Sequence, residues 1–235
     1  DKLVSEYGIT GVGQVIGLVD TGVDASMPGM FRKDGTSKIK IWQDLTQEGV
    51  GNILGTYQAD PQGIVTVQGA RLNVKSLKSL SNTYVVGIMP YVVSDLLPAK
   101  PDIYFVAYDP LAKGVFEGVA VDTNLDMDMS NETTLYRYDR SNNVAKIQID
   151  SSKAVSVVVA SIDTSVGKVS FGFDLHGHGT ALASIISGYD KGYGGVAPGA
   201  DIIVAKAIGS TGAGDWYDII RGVQYCINKG AGVVL

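Results

Sequence analysis

Val15-Ile16-Gly17-Leu18-Val19-Asp20-Thr21-Gly22-Val23-Asp24 is the stretch from which the fold is read. A short apolar run ends in an acid and then in Thr-Gly, as a buried parallel strand ends at a turn. Open parallel α/β sheets build their sites at the carboxyl ends of strands, so Asp20 stands where a buried carboxylate can reach a cleft. Taken alone, the same residue also reads as an ordinary turn or cap aspartate. Gly11 and Gly13 do not complete Gly-x-Gly-x-x-Gly, so the dinucleotide fingerprint is absent.

The α/β rhythm returns late in the chain. His178 to Ser187 has small and apolar residues at helical spacing, and Ala200 to Ala207 reads as a strand. Trp216 to Lys229 places Ile219, Ile220, Val223 and Cys226 or Ile227 on one helical face, and Lys229-Gly230 stops the helix. Ala231 to Leu235 then begins another apolar strand. Such alternation implies a parallel sheet with helices on both faces. A central strand cut at Leu235 would leave unpaired backbone groups, which predicts that the protein, or a partner, continues beyond it.

Between these zones the pattern changes. Ile64 to Val67, Tyr84 to Ile88, Ile103 to Ala107, Val119 to Val121, Lys146 to Ile149 and Val155 to Ile162 are rich in Val, Ile and Tyr, separated by turn residues. The expected organisation is therefore an α/β portion made of residues 1–57 and 170–235, interrupted by a mostly β insertion at 58–169. Leu72 to Leu80 is an alternative short basic helix within it.

The two histidines of the 235 residues, His176 and His178, lie in Asp174-Leu175-His176-Gly177-His178-Gly179-Thr180-Ala181-Leu182-Ala183. A histidine at a helix start can face a cleft and take a proton near neutral pH; it can equally be a satisfied loop histidine. Asp174, His176 and His178 at alternate positions offer a transition-metal reading, although no further His or Cys completes such a site. Asp20 followed by His178 has the chain order in which a serine comes last in one of the known catalytic triads.

These residues resemble the subtilase family. Val15 to Asp24 is similar to its Asp motif and His178 to Gly188 to its His motif. Gly194-Gly195-Val196-Ala197-Pro198-Gly199-Ala200 resembles the segment that follows, and Ile208 to Gly214 the loop and strand beside the substrate. Lys38 to Thr46 and Val121 to Asn124 resemble the tripeptidyl-peptidase II and pyrolysin type. Ala181 departs from the pattern, since subtilases often carry a second histidine there.

The resemblance implies a subtilisin-like fold with a β insertion between Asp20 and His178, and a serine peptidase of which this chain holds only those two triad members. The serine and the oxyanion asparagine would come from the C-terminal portion of the same protease. The substrate would be a peptide or protein, paired along the backbone of Gly212, Ala213 and Gly214. The alternative is a non-catalytic binding or scaffold module that keeps the fold. Gly35-Thr36-Ser37 precedes a Lys-containing strand and lies between the Asp and His motifs, the wrong order for the nucleophile.

No cofactor is required by this chemistry. The run Asp122, Asn124, Asp126, Asp128 offers hard oxygens to Ca²⁺ or forms a solvated turn; Met127 and Thr133 occupy the positions where an EF-hand needs Gly and Glu. Trp42 and Trp216 read as packing residues. A net charge of −5 argues against nucleic acid as a partner, and no apolar run reaches membrane-spanning length. The lone Cys226 excludes an internal disulfide. Low charge content and the acidic balance favour a secreted or cell-surface protein, and the insertion is a candidate for homo-oligomer formation.

Overall fold

The computed structural model describes residues 2–190 and 193–235. The chain begins with α1 (Lys2–Tyr7), β1 (Val15–Asp20) and β2 (Ile39–Asp44). The middle carries β3 (Asn52–Gln58), β4 (Ile64–Val67), β5 (Ala70–Asn73), β6 (Thr83–Ile88), α2 (Tyr91–Ser94), β7 (Tyr104–Tyr108) and β8 (Gly118–Val121). It continues through α3 (Tyr138–Ser141), β9 (Ala145–Gln148), β10 (Ala154–Asp163) and β11 (Lys168–Gly172). Then come α4 (His178–Ser187), β12 (Tyr189–Asp190), β13 (Tyr193–Gly194), β14 (Asp201–Lys206), α5 (Trp216–Asn228) and β15 (Val233–Val234).

Residues 1–47 and 172–235 form one compact unit, and residues 48–171 the other. In the first, four strands lie in the order β15-β1-β14-β2; β1 runs parallel to both β14 and β15, and β14 parallel to β2. Side chains alternate across a strand. Val15 and Val19 therefore pack with Ile203, Ala205 and Cys226, the side covered by α5. Asp20 falls on the opposite side, against the start of α4. The sheet is thus covered on both faces, as the sequence predicts.

The expected apolar stripe of α5 is corrected. The helix buries Gly222 and Cys226, while Ile220, Val223 and Ile227 are exposed. Gly17 and Gly222 face side chains closely, which lets the helix sit near the sheet through its small residues rather than its large ones. Trp216 is 77% exposed and so is not a packing residue, whereas Trp42 is buried and its Nε1 donates to the Val23 carbonyl at 3.2 Å.

In the second unit, β3-β6-β7-β8 form an antiparallel sheet, β4 pairs with β5, and β9 with β10 in a three-stranded sheet with β11. Residues 48–57, read from the sequence with the α/β portion, sit in this unit because β3 pairs antiparallel with β6. The basic helix considered at 72–80 does not form: β5 runs into turns, with Leu72, Val74 and Leu77 buried in the core. None of the described helices is long and apolar enough to cross a membrane.

Candidate active site

Asp20 ends β1 and His178 begins α4, and the fold brings them together across 158 residues of chain. Nδ1 of His178 lies 2.9 Å from one carboxylate oxygen of Asp20 and 3.0 Å from the other. The carboxylate accepts, which selects the tautomer carrying its proton on Nδ1 and leaves Nε2 as a base. Asp20 is buried, its side chain 8% exposed, while that of His178 is 56% exposed. Among the described residues, no side chain hydrogen-bonds to Nε2. The bond from Asp20 and then its charge raise the His178 pKa above 6.5, with partial desolvation opposing.

The close approach has a sequence cause. A Cβ on Gly179 would stand 2.0 Å from the Gly22 carbonyl oxygen and 3.0 Å from Asp20 Oδ1. Only glycine lets the helix start touch the turn after β1. Gly22 itself has φ +109°, and a Cβ there would meet the Phe173 carbonyl at 2.5 Å.

The first amides of a helix lack intrahelical acceptors. Here side chains from elsewhere supply them. Gly179 N donates to Thr21 Oγ1 at 2.9 Å, and Thr180 N to Asp174 Oδ2 at 2.9 Å. Asp174 also accepts from Thr21 Oγ1, Thr180 Oγ1 and Gly177 N, at 2.9, 2.6 and 2.8 Å. Thr180 Oγ1 in turn accepts from Asp24 N at 2.8 Å. One carboxylate thus clasps the strand end carrying Asp20 to the helix start carrying His178. Lys206, fully buried at the end of β14 beside Asp20, donates to the carbonyls of Thr21 at 2.7 Å and Ile208 at 2.9 Å.

The sequence reading singled out Asp174 only as a metal ligand. The structure turns its oxygens onto hydroxyls and amides, and no group of three His, Cys, Asp or Glu among the described residues could hold a metal ion. A Thr placed third in the helix, with an acid just ahead of it, was the available signal for the clasp. The role of Lys206 leaves no such mark.

Gly212, Ala213 and Gly214 lie exposed between β14 and α5. Gly209 N donates to the Ala213 carbonyl at 2.8 Å, and Gly214 bridges Ile208 antiparallel, so the segment is a narrow ribbon. A Cβ on Gly212 would lie 2.8 Å from His176 Nε2, which places His176 against this ribbon. Asp122, Asn124, Asp126 and Asp128 are in the other unit. Their oxygens accept from loop amides: Asp126 N and Met127 N on Asp122, Asp128 N on Asp126, Ser130 N on Asp128. These bonds close the turn on itself. Ser37 is buried just ahead of β2, at the opposite end of the parallel sheet from Asp20.

A buried carboxylate at the end of a parallel strand, paired with an imidazole at a helix start, has the Asp-before-His order of one known catalytic triad. The Subtilase family pattern matches residues 11–234, and the chain belongs to that family, a family of serine peptidases. Pyrolysin from Pyrococcus furiosus is 28% identical over 294 residues, covering 99% of this chain and 21% of pyrolysin. Subtilisin-like protease 4 of Trichophyton tonsurans is 44% identical over 54 residues, 23% of this chain and 13% of that protein. The chain thus spans about a fifth of pyrolysin. The crystal structure of tripeptidyl peptidase 2 superposes with a TM-score of 0.73 at 16% identity, over all of this chain and 24% of that one, a likeness of fold.

Proposed function

We propose that the chain supplies the Asp–His part of a serine peptidase that hydrolyses peptide bonds. The observation carrying this is the Asp20–His178 Nδ1 contact, with a buried acid behind an exposed imidazole. His178 Nε2 would accept the proton of a serine hydroxyl as that oxygen attacks the peptide carbonyl. It would then return the proton to the leaving amine, while Asp20 holds the tautomer and balances the imidazolium. The serine and an oxyanion donor would come from protease sequence outside these residues. In support, the described serines near the helix are otherwise engaged: Ser184 Oγ donates to Thr180 O, and Ser187 Oγ to Ala200 O.

The exposed backbone at Gly212–Gly214 would pair with an extended substrate strand, small side chains permitting the approach. Secretion or display at the cell surface fits a protease of this composition, and fractionation of cells against medium would check it.

A fluorophosphonate probe tests the reading. Labelling of a serine on protease sequence outside these residues, abolished by His178→Ala, is the expected result. Labelling of a serine within residues 1–235, or labelling that survives His178→Ala, would overturn it.

A further inference from the structure

The amino ends of the parallel strands, opposite the Asp20–His178 pair, surround a cavity of about 770 Å³. Asp201 opens β14 and Lys206 closes it, so at ~3.3 Å per residue the cavity and the pair are roughly 16 Å apart along the sheet. The volume falls within the range of small-ligand sites. Its walls include Phe31, Tyr189, Val12 and Pro198, an apolar lining.

The charged part of the lining is lopsided. Arg32, Lys33, Lys38 and Lys40 face the cavity, with Asp201 as the acid among the described lining residues. Arg32 and Lys40 both converge on Asp201. Asp34 of the same hairpin is turned to Thr36 N and Oγ1. Lys38 is 2% exposed, and its Nζ donates to the carbonyls of Gly29 at 3.1 Å and Ser187 at 2.5 Å. Those acceptors are neutral and lie outside the cavity lining, so the buried ammonium acts on the cavity through its field and not by contact. Burial, and then Arg32, pull its pKa below the usual lysine value. Uncompensated buried charge is costly, and an anion nearby offsets the cost. The chain as a whole carries −5, so this positive cavity runs against the overall field.

We infer that this cavity binds a small carboxylate with an apolar body, its anion at Lys33 and its body against Phe31 and Tyr189. The monoanion suits a lining where Asp201 already balances part of the charge. The binding is separate from peptide hydrolysis and needs neither Asp20 nor His178.

Calorimetric titration of the full chain with N-acetylphenylalanine, and with its neutral amide, tests the inference. The acid is expected to saturate one site, and the amide to bind about tenfold weaker or less, the ratio that 1.4 kcal/mol represents. Rising salt should weaken the acid and leave the amide unchanged. Lys33→Glu should cost a similar factor, whereas Lys113→Glu, an exposed charge reversal in the other unit, should cost nothing. Lys33 is itself exposed, so its exchange leaves folding intact where a change at Lys38 would not. Equal binding of acid and amide, an unsaturable titration, or indifference to Lys33→Glu would each overturn the site.

Discussion

In the unit made of residues 1–47 and 172–235, buried ionic groups tie together segments far apart in the chain; in the unit of residues 48–171 they span much shorter stretches. His178 meets Asp20 across 158 residues, Lys206 meets Thr21 across 185, and Lys38 meets Ser187 across 149. In the other unit, Asp122 accepts from amides four and five residues on, and Asp109 from Gly114 N five residues on and from Ser79 Oγ 30 residues back. A charge buried at a long-range junction fixes the relative position of elements, which chemistry requires. A charge buried in its own loop fixes only that loop.

The sharpest way to break the comparison is to remove the junction itself. Asp20→Asn or His178→Ala should lower kcat of the proposed peptidase by about 10⁴, the scale known for triad members, with folding retained by circular dichroism. An effect below tenfold would make the pair structural.

Removing the clasp should come next. Asp174→Ala leaves helix-start amides and two threonine hydroxyls without their acceptor, a loss of about 1–3 kcal/mol for an unsatisfied buried group. If the imidazole shifts by an ångström, kcat should fall roughly 10²-fold. Asp174→Asn keeps an acceptor oxygen and should recover part of kcat while KM stays constant, which separates positioning from substrate binding.

The titration of His178 sharpens the same contrast. Its folded pKa lies above 6.5 because of Asp20. The neutral base therefore accumulates only at higher pH, and the acidic limb of activity should sit above 6.5. By linkage, the Asp20–His178⁺ pairing stabilises fully below the unfolded value and is lost as pH rises through the folded one. In NMR titration, Asp20→Asn should lower the His178 midpoint; an unchanged midpoint would refute the electrostatic cause.

The smallest effect on function should come from the other unit. Burial pushes the Asp109 carboxyl up, but hydrogen bonds from Ser79, Gly114 and Ser81 pull it further down, to about 2. Its contribution is present above the ordinary value near 3.8 and lost as pH falls through about 2. Asp109→Asn should cost about 2 kcal/mol of stability at neutral pH without moving the His178 midpoint. A changed kcat would mean that local and long-range charges are not separable.

The same distinction explains what could be read in advance. β1, β14 and α4 follow from apolar runs and helical spacing, and Asp20 and His178 from motifs carried on them. Most strands of residues 48–171 follow from Val-, Ile- and Tyr-rich runs bounded by turns. β3 escaped because Asn52–Gln58 mixes polar and apolar residues around Gly55, and its pairing with β6 shifts register there. The α5 face escaped because the helix packs through Gly222 and Cys226, so its large apolar residues do not mark its buried side. Asp174 and Lys206 act through hydrogen bonds that join separate segments at Thr21, and such bonds have no period to detect.

The register Val15↔Asp201 through Asp20↔Lys206 also dictates an order of events during synthesis. β1 leaves the ribosome about 180 residues ahead of its partner β14. At roughly 5–20 residues per second, that is a wait on the order of ten seconds or more. Throughout it, an apolar strand with unpaired amides and carbonyls stays exposed, while residues 48–171 can complete their own sheets as they appear. The nascent chain should therefore present β1 to chaperones for far longer than any strand of the insertion.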